Sequence, residues 1–227
     1  MLYVAIAQTS QHLAKTTSRK QKVALLAGLL GELAPDEHAI AARHLAGELA
    51  GKLGIGYATV GELRDQIAPA AEASLTVIEV DRRFAAIAVL HGAGSGKARK
   101  DAFGALLAAA TAPEQAFLAA LVLGELRQGA LDALVVDAIA LAARLDARTV
   151  RAAYMLAGDI GPIAAAALTE GAAGLSRFGL TVFRPVLPML AQTAESAAEA
   201  LASFGGPAAF ELKLDGFRVQ IHKDGER

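Results

Sequence analysis

No cysteine and no tryptophan occur among the 227 residues, and aromatic side chains make up 5% of them. Without cysteine there is neither a disulfide framework nor a thiolate metal site, and the chain suits a reducing cytoplasm. Few aromatics beside abundant Ala and Leu favour closely packed helices over a β-sandwich, whose interior draws on Val, Tyr and Phe. A strong charge of either sign is also lacking: 22 Lys and Arg stand against 23 Asp and Glu, for a net charge of −1 and a pI near 6.5. Nucleic-acid binders usually carry a basic excess, so such a partner has to be met by local clusters of cations. Met1–Ala7 is apolar, yet no basic region precedes it and it is too short for a signal peptide or a membrane span. Later apolar stretches are interrupted by charges at helical spacing. No membrane partner is therefore expected, and no obligate protein partner is evident.

What is present is a 54% hydrophobic chain punctuated by helix start and stop signals. Ser18 precedes the run 19–33 and can cap it. Pro35-Asp36-Glu37 opens the next segment, with Pro where its missing N–H costs nothing. Thr59-x-x-Glu62, Thr76-x-x-Glu79 and Thr111-x-x-Glu114 each fit a capping box. Gly92, Gly129, Gly158 and Gly171 follow apolar runs, as C-terminal glycines do. The pattern predicts helices near 3–15, 19–33, 37–50, 60–70, 77–91, 98–110, 113–127, 131–144, 147–157 and 160–170. Leu131–Leu145 is apolar almost all round, which predicts a central helix.

The texture changes after Gly179. Residues 181–192 hold Pro185 and Pro188 and read as a linker. One more helix is expected within 193–204, then strands over 210–214 and 217–222 with a hairpin turn at Asp224-Gly225. The predicted fold is all-α, a multi-helix domain over 1–180, followed by the linker and a short, truncated α/β segment over 193–227.

The segment Glu211-Leu-Lys213-Leu-Asp215-Gly216-Phe-Arg218 carries the chemistry. A Lys amine that attacks the α-phosphorus of a nucleotide must be partly unprotonated, and nearby cations with partial burial move it that way. Asp215-Gly216 permits a tight turn beside the nucleotide. Arg218 can hold a phosphate or ribose oxygen. The bland alternative is a surface hairpin with ordinary charges.

Two other segments suit phosphates. Gly92-Ala-Gly94-Ser95-Gly96-Lys97-Ala98-Arg99-Lys100 fails as a P-loop, because His91 stands where the first Gly belongs and Ala98 replaces the Ser or Thr. It reads instead as a loop entering a helix, where Lys97, Arg99 and Lys100 can meet DNA phosphates. Leu126-Arg127-Gln128-Gly129 is expected to end a helix, with Gly129 both capping it and letting the backbone approach a phosphate beside Arg127. The five histidines, His12, His38, His44, His91 and His222, are not spaced as metal ligands and are read as structural or exposed.

The Lys213-x-Asp215-Gly216-x-Arg218 pattern resembles the active-site motif of the covalent nucleotidyltransferases. Phe183-Arg-Pro185-Val-Leu-Pro188-Met189-Leu190-Ala191 resembles the segment opening the adenylation domain of ATP-dependent DNA ligases. Thr17–Val23, Leu123–Ala130 and Ala157–Gly161 are similar to recurring segments of those ligases' helical DNA-binding domain. The resemblance spans nearly the whole chain. It implies that Lys213 takes AMP from ATP with Mg²⁺, that Glu211 faces the adenine, and that Arg218 contacts the nucleotide and later the nick phosphate. It implies nicked double-stranded DNA as partner and a location in the cytoplasm. It also implies that the metal carboxylates, the phosphate-gripping lysines and an OB-fold domain follow residue 227, so that these residues alone are inactive. An RNA ligase or capping enzyme shares the Lys motif, but such families do not usually carry a helical domain of this type. A non-catalytic helical DNA-binding or scaffold module is the third reading, and it predicts no nucleotide chemistry in the complete protein.

Overall fold

The computed structural model describes residues 1–129, 132–188, 194–212, 215–217 and 219–226. Among these, eleven helices follow one another: α1 Val4–Lys15, α2 Arg19–Glu32, α3 His38–Ala46, α4 Tyr57–Gln66, α5 Val77–Ala88, α6 Ser95–Ala108, α7 Ala112–Leu123, α8 Asp132–Ala143, α9 Ala147–Ala157, α10 Ile160–Leu175 and α11 Ala197–Phe204. The only β-type pairing among the described residues is a single antiparallel bridge between Leu2 and Thr76, which ties the N-terminus to the start of α5.

Local chemistry explains most of the boundaries. The Ser18 hydroxyl accepts the Gln21 N–H at the head of α2, and the Thr76 hydroxyl accepts that of Glu79 at the head of α5. At α7 the Glu114 carboxylate turns back to take both the N–H and the hydroxyl of Thr111, at 2.8 and 2.6 Å. The Thr59 expectation is corrected: α4 begins three residues earlier, after Gly56, so Thr59 lies inside the helix. At that end the Tyr57 hydroxyl donates to Glu125 at 3.0 Å. The expected helix over 113–127 is also shorter. It stops at Leu123 because Gly124, with φ +67°, turns left-handed and returns its N–H to the carbonyls of Ala120 and Leu121. Gly171 breaks α10 with φ +63° and ψ −143°, as its place after an apolar run suggested.

One core runs from Tyr3 to Leu175 and holds Ile6, Leu13, Leu30, Leu45, Phe103, Leu118, Ile139 and Ile163, all fully buried. The apolar helix α8 lies against α2, α3, α9 and α10, which accounts for hydrophobic residues on nearly all its sides. Helix α10 packs along α3 and α9, while α1 packs on α7 and α2.

The C-terminal strands are a correction. None of the described residues within 210–214 or 217–222 is in a strand. A lone pair of strands with no third strand or helix to cover it is marginal in water. Phe210, Leu212, Phe217, Val219 and Ile221 accordingly stay exposed, Phe217 completely.

Candidate nucleic-acid interface and nucleotidyl-transfer segment

Helix N-termini carry partial positive charge and favour acidic residues in the first turn. Two helices here do the opposite. No acid stands in the first turn of α2, which has Arg19, Lys20 and Lys22, or of α6, which has Lys97. Arg148 opens α9 as well, but there the Asp146 carboxylate caps the helix by accepting the Arg148 N–H and offsets that charge. Each such cation costs its helix about 0.3–1 kcal/mol at an exposed end. An anionic partner bound at these ends would reverse the sign of that cost.

The sequence-predicted cations at α6 have three different fates. Lys97 is 84% exposed and pairs with Asp101 one turn on, at 2.8 Å, an arrangement that raises its pKa. Lys100 crosses to Glu62 of α4 at 2.5 Å, and this hydrogen bond holds the Glu62 carboxyl below its usual range. Arg99 is turned inward: its Nε and Nη2 both donate to the Leu90 carbonyl beyond the end of α5. The guanidinium also lies against Gly54, where an added Cβ would stand 2.6 Å from Nη1. Arg99 is thus first a tie between two loops and α6, a role its place in a basic run did not reveal.

The turn 127–129 is built for exposure from above and anchorage from below. Gln128 is 2% exposed and its amide donates to the Leu45 carbonyl near the end of α3. Arg127, one residue before, is 89% exposed, with Glu125 at 3.9 Å. Gly129 has φ +62°, and the Lys22 ammonium donates to the carbonyls of Gln128 at 2.7 Å and Gly129 at 3.3 Å. The basic start of α2 and the 127–129 turn therefore meet directly. The α6 group is linked toward them by the segment carrying Gly54, which meets Arg99, and Tyr57, which meets Glu125.

The segment 157–161 is structural. Gly158 closes α9 with φ +70°, and Asp159 caps α10 by accepting the Gly161 N–H. Arg43 grips the same carboxylate with Nε at 3.0 Å and Nη2 at 2.8 Å. Burial pushes the Asp159 pKa up, but the hydrogen bonds from Arg43 and Gly161 outweigh it and leave the carboxyl below its usual range. Gly161 is small of necessity, since a Cβ there would lie 2.6 Å from the guanidinium carbon of Arg43.

Sequence reading passed over the most basic junction. Asp137 of α8, 13% exposed, accepts from Arg19 of α2 at 2.7 Å and from Arg151 of α9 at 3.0 Å through Nε. Three helices distant in sequence supply this cluster, so no local pattern marks it.

His44 is fully enclosed between Tyr3 and Phe84, its Nδ1 shares a 3.0 Å hydrogen bond with the Tyr3 hydroxyl, and burial lowers its pKa to about 3. No group of His, Cys, Asp or Glu able to hold a metal ion occurs among the described residues.

Toward the C-terminus, Glu211 is exposed, and Lys213 and Arg218 lie outside the described residues, as do Met189, Leu190 and Ala191. Gly216 has open space around its Cα. The stretch before it is anchored. The Leu187 N–H donates to the Met155 carbonyl of α9 at 2.9 Å, and the Gln220 side chain pairs with both the N–H and the carbonyl of Val186, at 2.8 and 2.6 Å. The Phe183 N–H donates to His222 Nδ1 at 3.2 Å. Segment 219–222, just past the Lys motif, is in this way joined to residues 183–186, and Leu187 to α9.

Two families match the chain. The family described as DNA ligase N terminus covers residues 57–140, and the ATP dependent DNA ligase domain covers 188–227. A protein of Anaeromyxobacter dehalogenans (strain 2CP-C) named probable DNA ligase is 54% identical over 228 residues, spanning 100% of this chain and 44% of the relative. Proteins of the same name from Streptomyces griseus and Mycolicibacterium gilvum are 47% and 48% identical, again over 100% of this chain and 44% of their own length. The chain thus spans less than half the length of these relatives.

Proposed function

We propose, from a chain that belongs to the ATP-dependent DNA ligases and matches their N-terminal part, that residues 1–180 form a DNA-binding body. In this reading 181–192 is the linker and 193–227 the start of the adenylation domain. The substrate is nicked double-stranded DNA, held by its phosphates, in the cytoplasm. One observation carries the DNA reading: cations occupy the first turns of α2 and α6, where helix dipoles oppose them and no acid stands. Phosphates brought to these ends satisfy both the side chains and the open N–H groups of the helices. Lys97, Lys100, Arg127 and the backbone at Gly129 are the contacts proposed first, with Arg99 bracing the α6 loop from behind.

Lys213 is the proposed nucleophile. Its unprotonated amine attacks the α-phosphorus of ATP, the N–P bond forms, and the bond to pyrophosphate breaks. The AMP then passes to the 5′-phosphate of a nick, and the 3′-hydroxyl displaces it to close the strand. Glu211 faces the adenine and Arg218 the nucleotide. When bound, Mg²⁺ would supply charge stabilisation for the leaving pyrophosphate. A nucleophile needs orientation and charge stabilisation as well as identity. The ATP dependent DNA ligase domain is matched only over residues 188–227, so these residues by themselves are expected neither to take up AMP efficiently nor to seal nicks.

The test is covalent labelling of the longer protein with α-labelled ATP and Mg²⁺, followed by mapping. Label on Lys213, lost in Lys213→Ala, is the expected result. Label on another lysine, or undiminished labelling of the variant, refutes the assignment. Stoichiometric labelling of the 227-residue chain would show that the adenylation site is complete within it.

A further inference from the structure

We infer that Asp137 is a positioning residue that holds Arg19 and Arg151 together as a clamp for one backbone phosphate of duplex DNA. This rests on the DNA-binding reading above and deepens it. Asp137 projects from the middle of α8 and is nearly buried, at 13% exposure, while Arg19 and Arg151 remain 61% and 53% exposed. A single carboxylate therefore draws two guanidinium groups from α2 and α9 to one point. Its oxygens are used separately, Oδ2 by Arg19 Nη2 and Oδ1 by Arg151 Nε and Nη2.

The donor inventory shows what is left over. A guanidinium has five N–H donors in a planar fork. Arg151 directs one edge at Asp137, which leaves Nη1 for solvent, and Arg19 uses only Nη2. The cluster carries two positive charges against one negative charge, a net positive site with fixed geometry. Arg148, 88% exposed and paired with Asp146 at 3.5 Å, lies one turn before Arg151 on α9, and Lys20 is exposed beside Arg19 at the head of α2. A tetrahedral phosphate oxygen pair suits converging guanidinium edges better than a flexible ammonium does.

The sign of one substitution separates positioning from bulk charge. Asp137→Asn removes a negative charge from a DNA-facing surface, and by charge alone it must tighten DNA binding. If Asp137 positions the clamp, the same change lets both arginines swing free and weakens binding. Anisotropy of labelled nicked duplex with the 227-residue chain across a salt series reads both effects. Expected are several-fold weaker binding for Asp137→Asn, and for Arg151→Gln weaker binding with a salt slope lower by about one. The double variant should be no weaker than Arg151→Gln alone by more than the remaining Arg19 contact. Arg19→Gln and Arg151→Gln change exposed side chains and keep the test valid if Asp137→Asn melts early.

Tighter binding by Asp137→Asn, or unchanged affinity and slope in Arg151→Gln, overturns the clamp while leaving the DNA reading intact. Inorganic phosphate that displaces DNA better than chloride at equal ionic strength, an advantage lost in Arg151→Gln, would make this a free-anion site and overturn the duplex assignment. Failure of the unsubstituted chain to bind duplex at all refutes the DNA reading itself.

Discussion

Replacing Gly129 and Gly124 by alanine in separate variants divides backbone strain from side-chain anchorage. Both glycines are exposed and left-handed, with φ +62° and +67°. An L-residue in that region costs on the order of 1 kcal/mol. At Gly124 nothing lies within 4 Å of where an added methyl group would stand, so strain is the whole effect. At Gly129 the methyl would stand 2.5 Å from the Lys22 ammonium, which must withdraw from the carbonyls of Gln128 and Gly129. Those are hydrogen bonds from a charged donor that is half exposed, so their loss adds about 1 kcal/mol. For a chain of this length each kcal/mol lowers Tm by about 2–4 °C. Gly124→Ala should therefore drop Tm by about 2–4 °C and Gly129→Ala by about 4–8 °C. Only Gly129→Ala should also weaken binding to nicked duplex, because it alone displaces both Lys22 and the turn that presents Arg127. Equal melting shifts would refute the anchorage, and equal DNA affinities would remove the turn from the interface.

Other consequences concern the body that carries the interface. Gly161→Ala should destabilise by about 1–2 kcal/mol, a figure reduced for solvent screening because Asp159 is 42% exposed, and should cost much less in an Arg43→Met background. Urea melts of the four proteins give the cycle. His44 is held neutral, with a pKa of about 3 against an ordinary 6.5 for imidazole. The unfolded chain binds the extra proton below pH 6.5, so stability is complete above that value. It should fall by about 1.4 kcal/mol per pH unit as the pH drops toward 3. Urea midpoints at stepped pH should show this slope, and His44→Gln should flatten it. Asp159, with its lowered pKa, adds a further loss only below the ordinary carboxylate range, as it becomes protonated.

Much of the helical order was legible because its signals are local. The Ser18 and Thr76 caps, the Thr111–Glu114 pair and the break at Gly171 all act within four residues. Thr59 misled because a capping pattern is only permissive: the helix runs on past it to Gly56, an equally acceptable N-cap. The strands expected after residue 209 depend on partners rather than on their own β-propensity, and the described residues hold no sheet for them to join. At the candidate interface, Lys97 and Arg127 were found as exposed cations in basic or Gly-marked turns. Arg99 was assigned to the surface although it binds the Leu90 carbonyl, since an inward turn leaves no trace in composition. The Arg19–Asp137–Arg151 cluster and the Gln128 anchor were missed for the same reason: each joins elements that only the packed fold brings together.

The most direct test of the account is fluorescence anisotropy of the 227-residue chain with nicked duplex over a salt series, alongside a variant in which Lys97, Lys100 and Arg127 are all replaced by glutamine. Binding should be modest at low salt, show little sequence preference, and weaken steeply as salt rises. The triple variant should bind more weakly, with a salt slope smaller by up to about three. Salt-insensitive binding, or a triple variant indistinguishable from the parent chain, would contradict a phosphate-gripping interface at these helix ends and turns.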